Sequence, residues 1–384
     1  MLDSVRILDL IWVLGGPFAG QTLAQLGADV IKIEPPEGDM SRTIPPHFHA
    51  GDSSFFLSVN RGKRGISLDL KHPDGLAVFY DLVRHCDVVI YGFAPDVPKR
   101  LGIDFTTLKA VNERICVGEL IGLHDEGPFA RAPAFDIIVQ ALSGIMSITG
   151  DGREPCRVGY QIADLAGGLY LALGVTGALV KALRSNQGAH VQLSLLDCQL
   201  ALLTWQAQNY FISGEQAEAM GSRSPMIAPS EAFACRDGRY LAISPTGQQF
   251  WQQFCASIDN PALASDSRFA TPGARIANVT ALADDWANSL QGAHRPNGRI
   301  ISSPPAFPQP RCIRCLRHWN SRSPLSARWS RRSRTHAAKR LCGFSATRSN
   351  SPAAPLSPSL RRLASTHARC CARSANMTTP GLMS

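Results

Sequence analysis

The stretch "SVRILDLIWVLGGPFAGQTLAQLGADVIKIE", Ser4–Glu34, predicts the core architecture of this chain. It opens with an apolar run of strand length and passes through a glycine-rich turn into a helical pattern with Pro17 near its start. After Gly27 the chain returns to a second apolar run. A strand–helix–strand unit of this kind brings its two strands together in parallel, so we expect a parallel sheet.

The alternation continues beyond this unit. Strand-like runs at Gly65–Leu70, Asp87–Phe93 and Arg114–Gly122 alternate with helical patterns at Pro73–Cys86 and Thr107–Asn112. Strands that alternate with helices predict an α/β fold whose parallel sheet is covered by helices on both faces. We expect a large domain over residues 1–205, a smaller α+β domain with its linker over 206–294, and a separate tail over 295–384.

Two later segments have helical patterns. "AFDIIVQALSGIMSITG", Ala134–Gly150, predicts one helix, and the long apolar stretch from Asp164 to Gly188 predicts another. Asp164 has the position of an N-cap and Gly188 that of a C-terminal stop. The apolar part, Leu165–Val180, is rich in glycine and bounded by charges, so a buried helix is favoured over a membrane span. The N-terminus lacks the pattern of a signal peptide.

Charge divides the chain into two unlike parts. The whole carries 39 Lys+Arg and 30 Asp+Glu, but residues 295–384 hold 17 of the basic residues and no acidic one. The body is therefore acidic, with 22 basic and 30 acidic residues. A basic tail could bind polyanions through its charge alone, which is one alternative function. We expect no specific nucleic-acid partner and no membrane partner.

Cysteine usage favours a reducing, cytoplasmic location. The six cysteines of the body are scattered in core-like positions, as expected for free buried thiols. The other five lie in the tail, where Cys312 and Cys315 form a pair without a second pair at zinc-site spacing. We predict no metal site.

The glycine-rich turn after the first strand does not carry the dinucleotide-binding pattern. Gly15, Gly16 and Gly20 do not have the spacing G-x-G-x-x-G, and Pro17 lacks the backbone N–H that a phosphate would need. Close packing between helix and strand explains these glycines equally well. Basic residues at Lys63, Arg64, Lys71, Lys99 and Arg100 suit either a phosphate-bearing small molecule or a solvated surface.

Asp164 is the sharpest candidate for chemistry. It is a lone carboxylate at the head of an apolar helix, where it could act as an N-cap or as a nucleophile. The helix end would favour its anion, and Gly167 and Gly168 would leave room for a bulky substrate. The spacing alone favours the N-cap.

The chain resembles the family III coenzyme A transferases, the CaiB/BaiF group. The resemblance covers about Leu2–Trp286 and rests on several stretches in the same order: "ILDLIWVLGGPFAGQTLAQLGADVIKIEPPEGD", "FFLSVNRGKRGISLDLKHPDG", "YGFAPDVPKRLGI", "DEGPFARAPAFDIIVQALSGIMSITG", "RVGYQIADLAGGLY", "HVQLSLLD" and "RFATPGARIAN". It implies a Rossmann-like large domain, a small domain and two interlocked copies of the chain. Acyl-CoA and a carboxylic acid would be the substrates, with no permanently bound cofactor.

The resemblance implies a catalytic role for Asp164, which matches the family's nucleophilic aspartate. It also implies contacts with CoA from residues that follow the strands, namely Val13, Leu14, Leu68, Asp69, Leu70, Lys71, Phe93, Ala94, Arg100, Ile121, Gly122, Leu123 and His124. Two positions depart from the family, since Pro35 replaces an arginine and Gly92 an asparagine. Arg42 is a candidate substitute for the missing arginine.

The same fold also hosts 2-methylacyl-CoA racemases, which remain an alternative. Those enzymes pair the equivalent aspartate with a histidine at the position of Phe135. A racemase needs a second acid–base group there, and phenylalanine cannot supply it. The resemblance therefore favours a CoA-transferase over a racemase. The small domain lacks the long glycine-rich insertion of formyl-CoA transferase, which favours dicarboxylates or hydroxy acids as acceptors, with succinyl-CoA as a candidate donor.

The tail departs from the family after His294. Read in a shifted frame, Asn297–Cys312 permits "EWPDYLESAGIPAAPV" and Thr366–Leu382 permits "HTREVLREVGKYDDAGI", both of which resemble the family's C-terminal segment. Our hypothesis is a one-frame slip near His294–Pro296, which leaves an aberrant tail that we expect to be disordered and a chain of doubtful activity. Resequencing the gene tests this, and stop codons in the shifted frame between the two matches would contradict it.

Overall fold

The computed structural model describes residues 1–130, 132–234, 240–258 and 260–292. The predicted tail, and with it the frame-slip hypothesis, lies outside the described residues. The strands are β1 Arg6–Asp9, β2 Asp29–Glu34, β3 Phe48–His49, β4 Asp52–Ser53, β5 Arg64–Ser67, β6 Val88–Tyr91, β7 Cys116–Ile121, β8 His190–Ser194, β9 Glu231–Ala234 and β10 Tyr240–Ile243.

The helices alternate with these strands and then dominate the later part of the chain. They are α1 Gly15–Gln25, α2 Ser54–Val59, α3 Pro73–Arg84, α4 Val97–Leu101, α5 Phe105–Val111, α6 Asp136–Leu142, α7 Ile162–Ser185, α8 Leu195–Leu202, α9 Trp205–Ser213, α10 Gln248–Ser257, α11 Ala262–Ser265, α12 Pro272–Ala277 and α13 Val279–Gly292. Two 3₁₀ turns lie at Met40–Thr43 and Ile145–Ser147.

A six-stranded sheet forms the centre of the fold, and all its pairings are parallel, as predicted. The strand order is β5-β2-β1-β6-β7-β8. The chain first grows outward from β1 through β2 to β5, and then crosses back to place β6 on the other side of β1. The strand order therefore reverses between β1 and β6, which is where open α/β sheets form their ligand crevice.

Helices cover both faces of the sheet, as the alternating pattern predicts. One core contains Leu23 of α1 and Leu171 and Val175 of α7, packed against one face. The other contains Phe79 of α3 and Leu108 of α5, packed against the opposite face. The sheet is thus buried on both sides, which explains its nearly continuous apolar strands.

The later part of the described chain has its own small core. The antiparallel pair β9–β10 and helices α10–α13 supply an apolar cluster that includes Trp251, Phe254 and Phe269. Arg275 is buried among them and donates hydrogen bonds to the carbonyl oxygens of Ala228 and Phe269, at 3.0 and 2.9 Å. This arrangement is α+β, as expected, while the predicted domain boundaries remain a prediction.

Helices α1 and α7 cross at a distance that only glycine permits. A methyl group added at Gly168 would overlap the carbonyl oxygen of Gly15, and one added at Gly15 would lie 3.0 Å from the carbonyl oxygen of Asp164. A methyl group at Gly167 would lie 2.5 Å from the side chain of Leu195. The expectation that Gly167 and Gly168 leave room for a substrate is therefore wrong, because helix α1 and Leu195 fill that space.

Three predicted helix boundaries also need correction. Helix α6 ends at Leu142 because Gly144 adopts a left-handed conformation, and only a 3₁₀ turn follows. Helix α7 begins at Ile162, so Asp164 is its third residue and not its N-cap. At the other end Asn186 is the left-handed C-cap, whereas Gly188 is required where the chain passes the backbone of Ile115.

Among the described helices, only α7 is long and apolar enough to cross a membrane by length and composition. It packs against α1, α8, β7 and β8, which is the position of a core helix in a globular domain. The five described cysteines are free thiols, and four of them are buried as expected. Cys156 is the exception, because it is exposed.

Replacing Gly168 with Ala is expected to destabilise the protein by about 1–3 kcal/mol, because the added methyl group must push α1 and α7 apart. The matched control is Gly273→Ala in α12, where nothing lies within 4 Å of the added methyl group. That change should stabilise by up to about 1 kcal/mol through helix propensity. Urea unfolding of both variants checks the prediction, and equal effects would contradict it.

Candidate active site

A pocket of about 420 Å³ lies at the carboxyl edge of the sheet, at the point where the strand order reverses. Three of its walls follow strand ends: residues 11–16 after β1, 92–95 after β6 and 121–123 after β7. The N-terminal ends of α6 and α7 complete it with Asp136 and Asp164. Apolar side chains and backbone form most of the lining, so a charged group inside is poorly hydrated.

Asp164 faces this pocket from the first turn of α7. Its carboxylate receives no hydrogen bond from the residues that the structure describes. Burial raises the pKa of Asp164 to about 7, and the negative charge of Asp136 adds to the rise. Near neutral pH the side chain therefore exists as both acid and anion, and the anion is less stabilised than it would be in water. A carboxylate in this state is suited to act as a nucleophile.

Asp136 takes over the capping role that the sequence suggested for Asp164. It begins α6 and is buried, and its Oδ1 accepts the backbone N–H of Ala163 in the first turn of α7 at 2.9 Å. Its Oδ2 accepts the Gln140 side-chain amide at 2.6 Å, and Gln140 in turn accepts the N–H of Val158 at 2.8 Å. Asp136 thus fixes the start of the helix that carries Asp164.

Sequence reasoning missed Asp136, although a signal was present. An aspartate directly before "IIVQAL" is the acidic first-turn residue that favours a helix start. The sequence could not predict the hydrogen-bond donor to Asp136, because Ala163 lies 27 residues further along the chain. The neighbouring Phe135 lines the pocket and is 72% exposed. Its ring carries no acid–base group for a proton transfer opposite Asp164.

The pocket contains eight of the predicted site residues. They are Asp164 and seven of the predicted CoA contacts, namely Val13, Leu14, Phe93, Ala94, Ile121, Gly122 and Leu123. They come from four separate stretches of sequence, and the sheet brings them together because its parallel strands end at one edge. Their role in binding CoA remains a prediction.

The other predicted contacts lie outside this pocket. Residues 68–71 follow β5, and Leu68 and Leu70 pack on the same core cluster as Phe93. The N–H of Lys71 donates to Asp69, and the Lys71 residue is exposed. Arg100 on α4 is exposed and lies 3.5 Å from Asp96, and His124 is exposed beside Asp125.

Arg42 is already engaged within the protein. Its guanidinium donates to both oxygens of Glu34, at 2.6 and 2.7 Å, and to Asp52 at 2.7 Å. It also stacks over the ring of Phe56 at 3.8 Å. A ligand could therefore reach only the outer side of Arg42, and its role as a substitute contact remains a prediction.

Lys63 and Arg64 were each predicted to bind a phosphate or to lie on a solvated surface, and the structure separates the two residues. The ammonium group of Lys63 is buried and lies 2.7 Å from Asp9, so it neither binds a phosphate nor faces solvent. Arg64 is exposed and pairs with Asp29 at 2.7 Å. A sequence pattern cannot separate these cases, because the two carboxylates belong to other strands.

Comparison with known proteins gives one consistent result. The family model described as "CoA-transferase family III" matches residues 2–296. A succinate–glutarate CoA-transferase from Agrobacterium fabrum is 40% identical over 72% of this chain and 71% of its own length. An acetyl-CoA:oxalate CoA-transferase from Acetobacter aceti is 39% identical, with 73% and 72% covered. A CaiB/BaiF family protein from Brucella suis has 36% identity and a TM-score of 0.68, over 76% of this chain and 79% of that structure.

Replacing Asp164 with Asn is expected to stabilise the fold progressively as the pH rises. The pKa of Asp164 is about 7 in the folded protein and 3.8 for an ordinary aspartate, so the protein loses stability as the pH rises from the lower value to the higher one. The gain from Asp164→Asn should therefore increase by roughly 2 kcal/mol from pH 5 to pH 8, or about 5 °C in the thermal midpoint.

Asp197→Asn is the matched control, since Asp197 is also the third residue of a helix but is exposed. It should leave stability flat or slightly lower over the same range, because it removes only a favourable interaction with the helix end. Thermal unfolding of both variants at several pH values measures the difference. An Asp164→Asn gain that is the same at pH 5 and pH 8 would contradict the assignment.

Proposed function

The chain belongs to CoA-transferase family III, and from this premise we propose that Asp164 carries the transfer of coenzyme A from an acyl-CoA donor to a carboxylic acid. The observation that supports this most strongly is the position of Asp164, a carboxylate that accepts no hydrogen bond from the described residues and faces the pocket at the switch point of the sheet. Such a group can exchange one activated carbonyl for another without a metal ion or a redox cofactor.

The proposed reaction is a relay of four balanced steps. The Asp164 carboxylate attacks the donor thioester, which forms a mixed anhydride and releases the CoA thiolate. The thiolate attacks the aspartyl carbonyl, which releases the donor acid and leaves an aspartyl-CoA thioester. The acceptor carboxylate then attacks this thioester, giving a second anhydride and the thiolate. Attack of the thiolate on the acceptor carbonyl yields the new acyl-CoA and restores Asp164.

The pocket favours this chemistry because it leaves the carboxylate only partly exposed to water. A carboxylate with a raised pKa is a stronger nucleophile than one in water, and about half of it is ionised near pH 7. Asp136 anchors the first turn of α7 through Ala163, so the attacking oxygen atoms are presented from a fixed helix end. The raised pKa and the fixed position of the carboxylate both favour formation of the new bond to the thioester carbonyl.

Charge in the pocket favours the neutral thioester of the donor over the carboxylate of the acceptor as the group that first approaches Asp164. The lining residues that the structure describes include two carboxylates, Asp136 and Asp164, and no basic side chain, while Arg131 lies outside the described residues. An acceptor acid is therefore repelled while Asp164 is ionised. Acylation of Asp164 removes one of the two negative charges, so the acceptor carboxylate binds more favourably at the stage that needs it.

We propose dicarboxylic acids as the substrate class, with succinyl-CoA as a donor. The names of the relatives support this, since they are transferases of succinate and glutarate and of oxalate. CoA would follow the carboxyl edge of the sheet, with its thiol end near Asp164 and its remainder towards residues 68–71 and Arg100. Phe135 in place of an acid–base group argues against the racemase alternative.

We also propose that two copies of the chain associate. Large apolar side chains are exposed on α7 and α9, including Leu173, Leu183, Phe211 and Ile212 at 68–77%. Large exposed apolar side chains of this kind are typical of a protein interface. Light scattering after size-exclusion chromatography measures the assembly, and a monomer at micromolar concentration would contradict it.

A frame slip after His294 remains our proposal for the tail. The match to the family model ends at residue 296, close to where acidic residues disappear from the sequence. Any assay of turnover should therefore compare the present chain with a frame-corrected chain.

Replacing Asp164 with Asn is expected to lower CoA transfer by at least about 10³-fold, because the nucleophile of the relay is lost. The assay mixes succinyl-CoA with a panel of carboxylic acids and follows the new thioester by mass spectrometry. Incubation with donor alone should add CoA to the peptide that contains Asp164. Asp197→Asn, the same change at an exposed helix position, should keep both the transfer and the adduct.

Full turnover by Asp164→Asn would exclude the covalent relay. Exchange of the α-hydrogen of an acyl-CoA with deuterium, without any transfer to an acid, would instead indicate the racemase alternative.

A further inference from the structure

Two buried ion pairs lie beneath the pocket wall that follows β1. The ammonium group of Lys32 is 2.9 Å from Oδ2 of Asp39, and that of Lys63 is 2.7 Å from Oδ2 of Asp9. All four side chains are at most 2% exposed. Buried ion pairs contribute little net stability, because removing two charges from water costs about as much as their attraction returns. Their placement therefore calls for another explanation.

Both pairs also bind the backbone of the pocket wall, which we define as Ile11–Leu14. The N–H of Ile11 donates to Oδ1 of Asp9 at 3.0 Å, and its carbonyl oxygen accepts from Lys32 at 2.8 Å. The N–H of Val13 donates to Oδ1 of Asp39 at 3.4 Å. Three backbone groups of two residues are thus held by three charged side chains, and the wall has little freedom to move.

The conformation held in this way is an unfavourable one. Val13 has φ +70°, in the left-handed region that a β-branched residue rarely adopts. Strain of this kind persists only where surrounding contacts determine the backbone, and it concentrates at ligand sites. Val13 and the other three wall residues line the pocket beside Asp164.

Other contacts anchor the ion pairs themselves. Lys63 also donates to the carbonyl oxygen of Pro17 and to the Asn60 side chain, each at 2.8 Å. Asp39 accepts the N–H and the hydroxyl of Ser41, at 2.9 and 2.7 Å. The two pairs therefore connect the wall to α1, β2 and the segments after β2 and α2.

We propose that Lys32–Asp39 and Asp9–Lys63 are positioning groups that set the conformation of the pocket wall and so shape the site for acyl-CoA. The ligand named here rests on the proposed function, whereas the effect on the wall does not. Removing the charges is expected to release Val13 from its left-handed conformation and to weaken binding of CoA. We expect this change in the backbone conformation of the wall even in variants that are as stable as the original protein.

The test uses the full chain with Lys32→Met and Asp39→Asn together, a neutral pair that avoids an unpaired buried charge and keeps an oxygen for Ser41. Hydrogen–deuterium exchange without ligand is followed in the peptide that spans the wall. Exchange at Val13 should become about tenfold faster, since its N–H loses the charged acceptor Asp39, whereas the N–H of Ile11 keeps its bond to Asp9. The Kd for CoA, measured by calorimetry, should rise by about tenfold.

The matched control is Arg64→Met with Asp29→Asn, which removes an exposed ion pair that also involves β2. It should change neither the exchange in the wall nor the Kd. Adding Val13→Gly to the neutral pair should restore part of the affinity, because glycine adopts the left-handed conformation without strain. A purely structural role of the ion pair predicts no such recovery.

The proposal is overturned if the neutral pair and the control show the same exchange in the wall. Asp39→Glu, which keeps both charges but moves the carboxylate relative to the N–H of Val13, is measured in the same way so that a failure of the double variant to fold still leaves a result. If neither the present chain nor a frame-corrected chain binds CoA, the proposed function fails, but the exchange measurement still decides whether the ion pairs set the wall.

Discussion

The close crossing of α1 and α7 determines the geometry of the site. Gly15 and Gly168 let the two backbones touch, and this contact brings the start of α1 next to Asp164. Both helices lie on the same face of the sheet, and the pocket opens where their N-terminal ends meet the strand ends. Any larger side chain at the crossing would separate the wall after β1 from the carboxylate it adjoins.

Two carboxylates, those of Asp136 and Asp164, lie at the start of α7 and have different roles. Asp136 is buried and hydrogen-bonded, so its oxygen atoms are used to fix α7. Asp164 lacks such partners among the described residues and faces the pocket with a pKa near 7. Poor hydration of the Asp164 carboxylate lowers the stability of the fold, and an uncharged side chain at this position would avoid that loss. This cost at the head of the core helix agrees with the chemical role that we propose for Asp164.

The sequence predicted the features that depend on local pattern. The period of the apolar residues gave the alternation of strands and helices, and parallel strands place Val13, Phe93 and Ile121 at one edge. It failed where a contact joins distant segments. Asp164 resembled an N-cap because the true capping group, Asp136, comes from another helix. Lys63 resembled a surface or phosphate-binding residue because its partner, Asp9, is on the central strand.

The buried ion pairs and Asp164 lie in the same low-dielectric region, but the charges of the pairs are compensated and that of Asp164 has no partner among the described residues. Lys32 and Asp39 neutralise each other, and although burial tends to raise the pKa of Asp39, Lys32 and Ser41 outweigh it and hold that pKa below its usual value. Asp39 therefore stays ionised, and keeps its hydrogen bonds to the backbone, across the range in which Asp164 titrates. In the proposed reaction the charge of Asp164 changes, and a wall held by a carboxylate that stays ionised keeps its shape during that change. Asp164, which accepts no hydrogen bond from the described residues, is the group that the proposal leaves free to react.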